Sequence, residues 1–133
     1  MPESPAPQAQ EKTILIVDDD RVMGEMLKQA LAQHTVHRVM WIAESDLVLE
    51  TARHLRPSLI LMDYIMPFMD GLKLYDHLQN VETMRSVPVV LISGSPTLPF
   101  DQLRERGIHV LRKPFELNDL LDIIAQLMSG ARG

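Results

Sequence analysis

Residues 14–17, ILIV, are apolar at four successive positions, and that run constrains the fold more than any other feature of the chain. A strand with one wet face alternates apolar and polar residues, so an unbroken apolar run points to a strand covered on both faces. Strand-like runs recur as VMWI (39–42), LILM (59–62), VPVVLIS (87–93) and HVL (109–111). Helical spacing separates them: Val22, Met23, Met26, Leu27, Ala30 and Leu31 follow the first run at intervals of three and four. Five such alternations predict an α/β domain, a (βα)5 doubly wound parallel sheet with helices on both faces.

Ser45 is placed to cap a second helix whose inner face carries Val48, Ala52 and Leu55, and Pro57 ends it. Leu72, Tyr75 and Leu78 mark a third helix. The two prolines of SPTLPF (95–100) delay the fourth until near Phe100. The last helix shows the clearest stripe, formed by Leu117, Leu120, Leu121, Ile124, Leu127 and Met128. Residues 1–11, rich in Pro, Ala and Gln, read as a disordered tail, 12–128 as one domain, and 129–133 as a tail or the start of a linker.

Several function classes are disfavoured at once. No apolar run approaches the ~18 residues of a membrane span, and MPESPAPQAQEK lacks the basic and apolar regions of a secretory signal. The absence of cysteine removes disulfide and thiolate chemistry and agrees with a cytoplasmic location. A net charge of −5 without any block of Lys or Arg argues against direct binding of nucleic acid.

Open parallel sheets bind ligands beyond the carboxyl ends of their strands. Those ends carry Asp18, Asp19 and Asp20 after the first strand, Asp63 after the third, Ser93 on the fourth and Lys113 after the fifth. Each alone has an ordinary explanation: helix capping, turn formation, a strand end, a solvated charge. Together they make a site for hard-oxygen coordination of Mg²⁺, in which a carboxylate can attack phosphorus while a hydroxyl and an ammonium take phosphoryl oxygens.

The stretches ILIVDDD, LILMDYIMPFMDG, VVLISG and LRKPF resemble the receiver domain of two-component response regulators, over residues 12 to 128. The resemblance implies a flavodoxin-like fold with strand order 2-1-3-4-5 and the role of a signalling switch rather than an enzyme. It makes Asp63 the phospho-acceptor, Ser93 the switch hydroxyl and Lys113 the phosphate-sensing lysine. Asp18, Asp19, Asp63 and the backbone carbonyl of Ile65 would hold Mg²⁺ or Mn²⁺. Lys113-Pro114 matches a cis peptide bond, and Asp70-Gly71 a turn into the third helix, with Gly71 suited to positive φ. The implied partners are a sensor histidine kinase or a histidine phosphotransfer protein. The implied output is a partner-binding or homodimer surface on the last two strands and helices.

Three positions depart from the pattern. Val110, preceded by His109, stands where an aromatic switch residue is usual. Ile65 replaces the polar residue that often orients hydrolytic water, which predicts a long-lived phosphorylated state. The prolines of SPTLPF predict an altered fourth helix at the output surface. Two alternatives compete. DDDRV also fits the nucleophile motif of haloacid-dehalogenase-like phosphatases, with Asp18 attacking and Asp20 as general acid and base. The other is a receiver-like interaction module that is not phosphorylated.

Overall fold

The computed structural model describes residues 12–66 and 69–129. The expected tail at 1–11, Pro67 and Phe68 of the motif loop, and residues 130–133 lie outside the described residues. The elements run β1 (Thr13–Val17), α1 (Arg21–His34), β2 (Arg38–Ile42), α2 (Val48–Leu55), β3 (Leu59–Asp63), α3 (Gly71–Leu78), β4 (Val89–Ser93), α4 (Phe100–Glu105), β5 (His109–Arg112) and α5 (Leu117–Ser129). All five strands are parallel in the order β2-β1-β3-β4-β5, as the resemblance implied. The runs ILIV, LILM and VVLI form the three inner strands, where both faces are covered and every one of these apolar side chains is buried.

Alternation along those strands divides the core in two. Leu15, Val17, Ile60, Met62 and Leu91 face α2, α3 and α4, packing with Val48, Ala52, Leu74, Leu78 and Leu103. Ile14, Ile16, Leu59, Leu61, Val90 and Ile92 face the opposite way, onto Leu27 and Leu31 of α1 and Leu120, Ile124 and Met128 of α5. Each fully buried aliphatic side chain contributes about 1.5–3 kcal/mol relative to exposure.

Local chemistry sets most of the boundaries. Asp20 starts α1 by accepting the backbone N–H groups of Val22 and Met23, and Asp70 starts α3 by accepting that of Lys73. α2 ends at Arg56, whose φ of 53° is left-handed, one residue before Pro57. Gly107, with φ of 72°, turns the chain after α4. α4 begins at Phe100 and has only six residues, as the prolines ahead of it predict.

Two expectations need correction. Ser45 does not cap α2: a 3₁₀ turn over Ser45–Leu47, closed by the Leu47 N–H on the Glu44 carbonyl, intervenes, and the helix starts at Val48. The fourth strand begins at Val89 rather than 87, and Pro88 offers its carbonyl to Ile60 but has no N–H for the ladder. At the amino ends of the strands, opposite the acidic residues, Lys12 Nζ donates to the Met128 carbonyl at 3.1 Å, joining the residue before β1 to α5.

Candidate functional site

Strand register brings the acidic residues together. Val17 pairs with Met62, so the next residues, Asp18 and Asp63, stand level on neighbouring strands about 4.8 Å apart. By alternation both belong to the α1/α5 side of the sheet, as does Lys113, two residues beyond Leu111. Carboxylate oxygens of Asp18, Asp19 and Asp63 lie within 4.8 Å of one another, and Lys113 Nζ is 3.8 Å from Asp63 Oδ1.

The cluster is electrostatically unfinished. Burial pushes the Asp63 carboxyl up to about 6, against the opposing pull of Lys113 and with a further push from Asp18 and Asp19. Burial also raises Asp18, although its Oδ1 accepts the Asp20 N–H at 2.9 Å. Three converging carboxylates, oxygen donors only, and charge that one lysine leaves uncompensated fit a hard divalent cation such as Mg²⁺ or Mn²⁺. Asp20 lies outside this group, and its Oδ1 caps α1.

Ser93 and Lys113 are coupled through the backbone: the Lys113 N–H donates to the Ser93 carbonyl at 2.9 Å. The buried Ser93 hydroxyl is turned into its own loop, where it accepts the Ser95 N–H at 3.0 Å, and it makes no hydrogen bond to Asp63. Ile65, two residues after Asp63, leaves its side chain 64% exposed. Lys113-Pro114 is cis. Val110 packs against the α2–α4 side of the core, and His109 is exposed.

Gly71 is required, but for a reason other than the expected one. Its φ is not positive; a Cβ there would sit 2.6 Å from Leu91 Cδ1 and 3.0 Å from the Asp63 carbonyl oxygen. Space for the Asp63 backbone, rather than conformational freedom, demands glycine. Its N–H also donates to the Tyr64 carbonyl at 2.7 Å, tying the start of α3 to the end of β3.

Trp41 joins the site from the edge strand β2, although nothing in the run VMWI marks it for more than packing. Its indole Nε1–H donates to the Asp18 carbonyl at 2.9 Å, and its ring fills the space where a Gly24 side chain would be. The available signal was a glycine inside an otherwise helical run, where it costs about 1 kcal/mol relative to Ala unless a close approach needs it.

Comparison with known proteins agrees with this fold. The family profile of the response regulator receiver domain matches residues 14–125. The chemotaxis protein CheY of Bacillus subtilis is 24% identical over 87% of this chain and 97% of its own length. A protein-glutamate methylesterase/protein-glutamine glutaminase of Xanthomonas campestris is 33% identical over 90% of this chain and 31% of its own. Among solved structures, the receiver domain of a signal transduction histidine kinase from Syntrophus aciditrophicus superposes with a TM-score of 0.79 at 29% identity, over 90% of this chain and 91% of that one. The chain spans about a fifth to a third of the length of several longer relatives it matches. Among the described residues, no helix is long and apolar enough to cross a membrane.

Proposed function

The chain belongs to the response regulator receiver domain family, and from that premise we propose that it accepts a phosphoryl group on Asp63 in a His-Asp phosphorelay. The observation carrying this reading is the convergence of Asp18, Asp19 and Asp63 within 4.8 Å, with Lys113 3.8 Å from the acceptor oxygen. In the transfer, an Asp63 carboxylate oxygen attacks the phosphorus of a phosphohistidine; the new P–O bond forms as the P–N bond breaks, and the imidazole leaves with the electron pair and takes a proton from solvent. Lys113 neutralises one phosphoryl oxygen, and the Ser93 hydroxyl donates to another after leaving Ser95.

Asp18, Asp19 and Asp63, with the Ile65 carbonyl, would hold Mg²⁺ or Mn²⁺. When bound, the cation lowers the repulsion between the acceptor carboxylate and the incoming phosphoryl oxygens. The donor is a sensor histidine kinase or a histidine phosphotransfer protein. Met26 of α1 is exposed and, with Met23, Pro114 and Phe115, lines an apolar rim next to Lys113 suited to such a partner.

The output is a two-state shift of the β4–α4–β5–α5 surface, not turnover of a small substrate. Arg112 stacks over the Phe100 ring at 5.5 Å on that surface, which we assign to a partner or to a second copy of the chain. The chain acts in the cytoplasm and binds no nucleic acid itself.

The test is intact mass after incubation with Mg²⁺ and acetyl phosphate or phosphoramidate. One phosphoryl group is expected on the wild type and on Lys12→Ala, and none on Asp63→Asn. Labelling that survives Asp63→Asn but not Asp18→Asn would transfer the nucleophile to Asp18. No added mass on a folded protein would favour the interaction module.

A further inference from the structure

Trp41 occupies a place that the phosphotransfer reading does not use. It lies on β2, an edge strand that contributes no side chain to the acidic cluster, yet its indole reaches the first acidic residue. We propose that Trp41 is a positioning residue for the cation site, setting the direction of Asp18 and Asp19 through the peptide that joins them.

The argument starts from that peptide. The Asp18 N–H donates to the Ile42 carbonyl at 3.1 Å, and the Asp18 carbonyl accepts from Trp41 Nε1 at 2.9 Å. Neighbouring residues of β2 therefore hold both sides of Asp18. A peptide unit is planar, so fixing the Asp18 carbonyl fixes the plane that leads into the Asp19 Cα. The departure of both side chains from the chain is then set by β2. The Asp18 carboxylate is pinned in addition by the Asp20 N–H at 2.9 Å. The indole also consumes a carbonyl oxygen that would otherwise turn freely beside three carboxylates.

The indole is itself held in place. Gly24, in the first turns of α1, leaves the space that the ring fills, and a Cβ there would overlap the ring. The Gly24 N–H donates to the Asp20 carbonyl at 2.8 Å, so the same short stretch of helix that seats the ring begins at the acidic loop. Trp41, Gly24 and residues 18–20 form one unit clamped between β2 and α1.

The inference rests on the cation-site reading, and the experiment separates the two. The chain contains a single tryptophan, so its indole gives one ¹⁵N–¹H resonance. In the wild type that resonance should shift on Mg²⁺ titration with the same midpoint as calorimetric binding. Trp41→Phe keeps a ring but removes the donor, and Gly24→Ala keeps the donor but displaces the ring. Each should weaken Mg²⁺ binding about tenfold, the scale on which groups that orient metal ligands act. Leu78→Ala, a truncation at the end of α3 on the opposite face of the sheet, serves as the comparison: it should lower the thermal midpoint and leave Mg²⁺ affinity unchanged. Wild-type binding with an unmoved indole resonance overturns the proposal, as do variants that bind Mg²⁺ as tightly as wild type. If the wild type fails to bind Mg²⁺, the cation-site reading falls and the inference falls with it.

Discussion

Lys113 Nζ stands 3.8 Å from Asp63 Oδ1, an ion pair without a close hydrogen bond, and it does not offset the burial of the carboxylate. The two groups share the α1/α5 side of the sheet, where Asp63 is 14% exposed and Lys113 29%. A lone opposite charge would hold a carboxyl below its ordinary value; here desolvation and two further aspartates reverse the direction.

The reversal predicts how stability changes with pH in the absence of divalent cations. Folding raises the Asp63 carboxyl from 3.8 to about 6, so the native state holds its proton more tightly than the unfolded chain. The associated stability is present below pH about 4 and is lost as pH rises through about 6. Two pKa units correspond to ~3 kcal/mol. In urea unfolding with chelator, Asp63→Asn should be more stable than wild type by up to ~3 kcal/mol at pH 8 and about equal to it at pH 4.

Divalent cation should act in the opposite sense. With Mg²⁺ at about a hundred times its dissociation constant, stability at pH 8 should rise by ~2.7 kcal/mol. The gain should shrink as pH falls through about 6, where Asp63 takes up a proton that competes with the ion, and the raised Asp18 carboxyl acts in the same direction. Thermal melts with and without EDTA across that range check it. A gain independent of pH would argue that the ion sits elsewhere.

Gly71→Ala should destabilise the protein by about 1–3 kcal/mol despite the better helix propensity of alanine, because its Cβ meets Leu91 and the backbone of Asp63. The same variant should slow labelling by acetyl phosphate. Moving the Asp63 carbonyl moves the acceptor with it. Chemical denaturation and labelling rate, measured on the same sample, test the two effects together.

Ile65→Asn should shorten the lifetime of the aspartyl phosphate on the order of tenfold, since a side-chain amide can orient water that the exposed isoleucine excludes. Loss of the phosphoryl mass with time in Mg²⁺ is the measurement. Equal rates in the two proteins would remove Ile65 as the shield.

The inner strands and the acidic positions were legible because each depends on a short stretch of chain. ILIV and LILM are apolar throughout since both sheet faces are covered, and Asp63 directly follows such a run. What escaped depends on partners distant in sequence. The need for Gly71 comes from Leu91, twenty residues on, together with the Asp63 carbonyl. The Trp41 indole meets a carbonyl 23 residues back, so nothing near Trp41 announces the bond. Ser45 looked like a cap because its residue type is right, but the Glu44 carbonyl closes a tighter turn first. The departure at Val110 was legible as a substitution, and the Arg112–Phe100 stack beside it was not, because it joins two elements across the surface.

The hydrogen bond from Lys12 to the Met128 carbonyl makes the domain a closed circuit. Entry and exit lie side by side at the amino ends of the strands, about 17 Å of sheet away from the acidic cluster. A polypeptide can therefore pass through this fold and leave beside the point where it entered. Lys12 and Met128 both lie on the side remote from Asp63, and a short bridge between them would allow new ends to be cut in a surface loop without unpairing a strand.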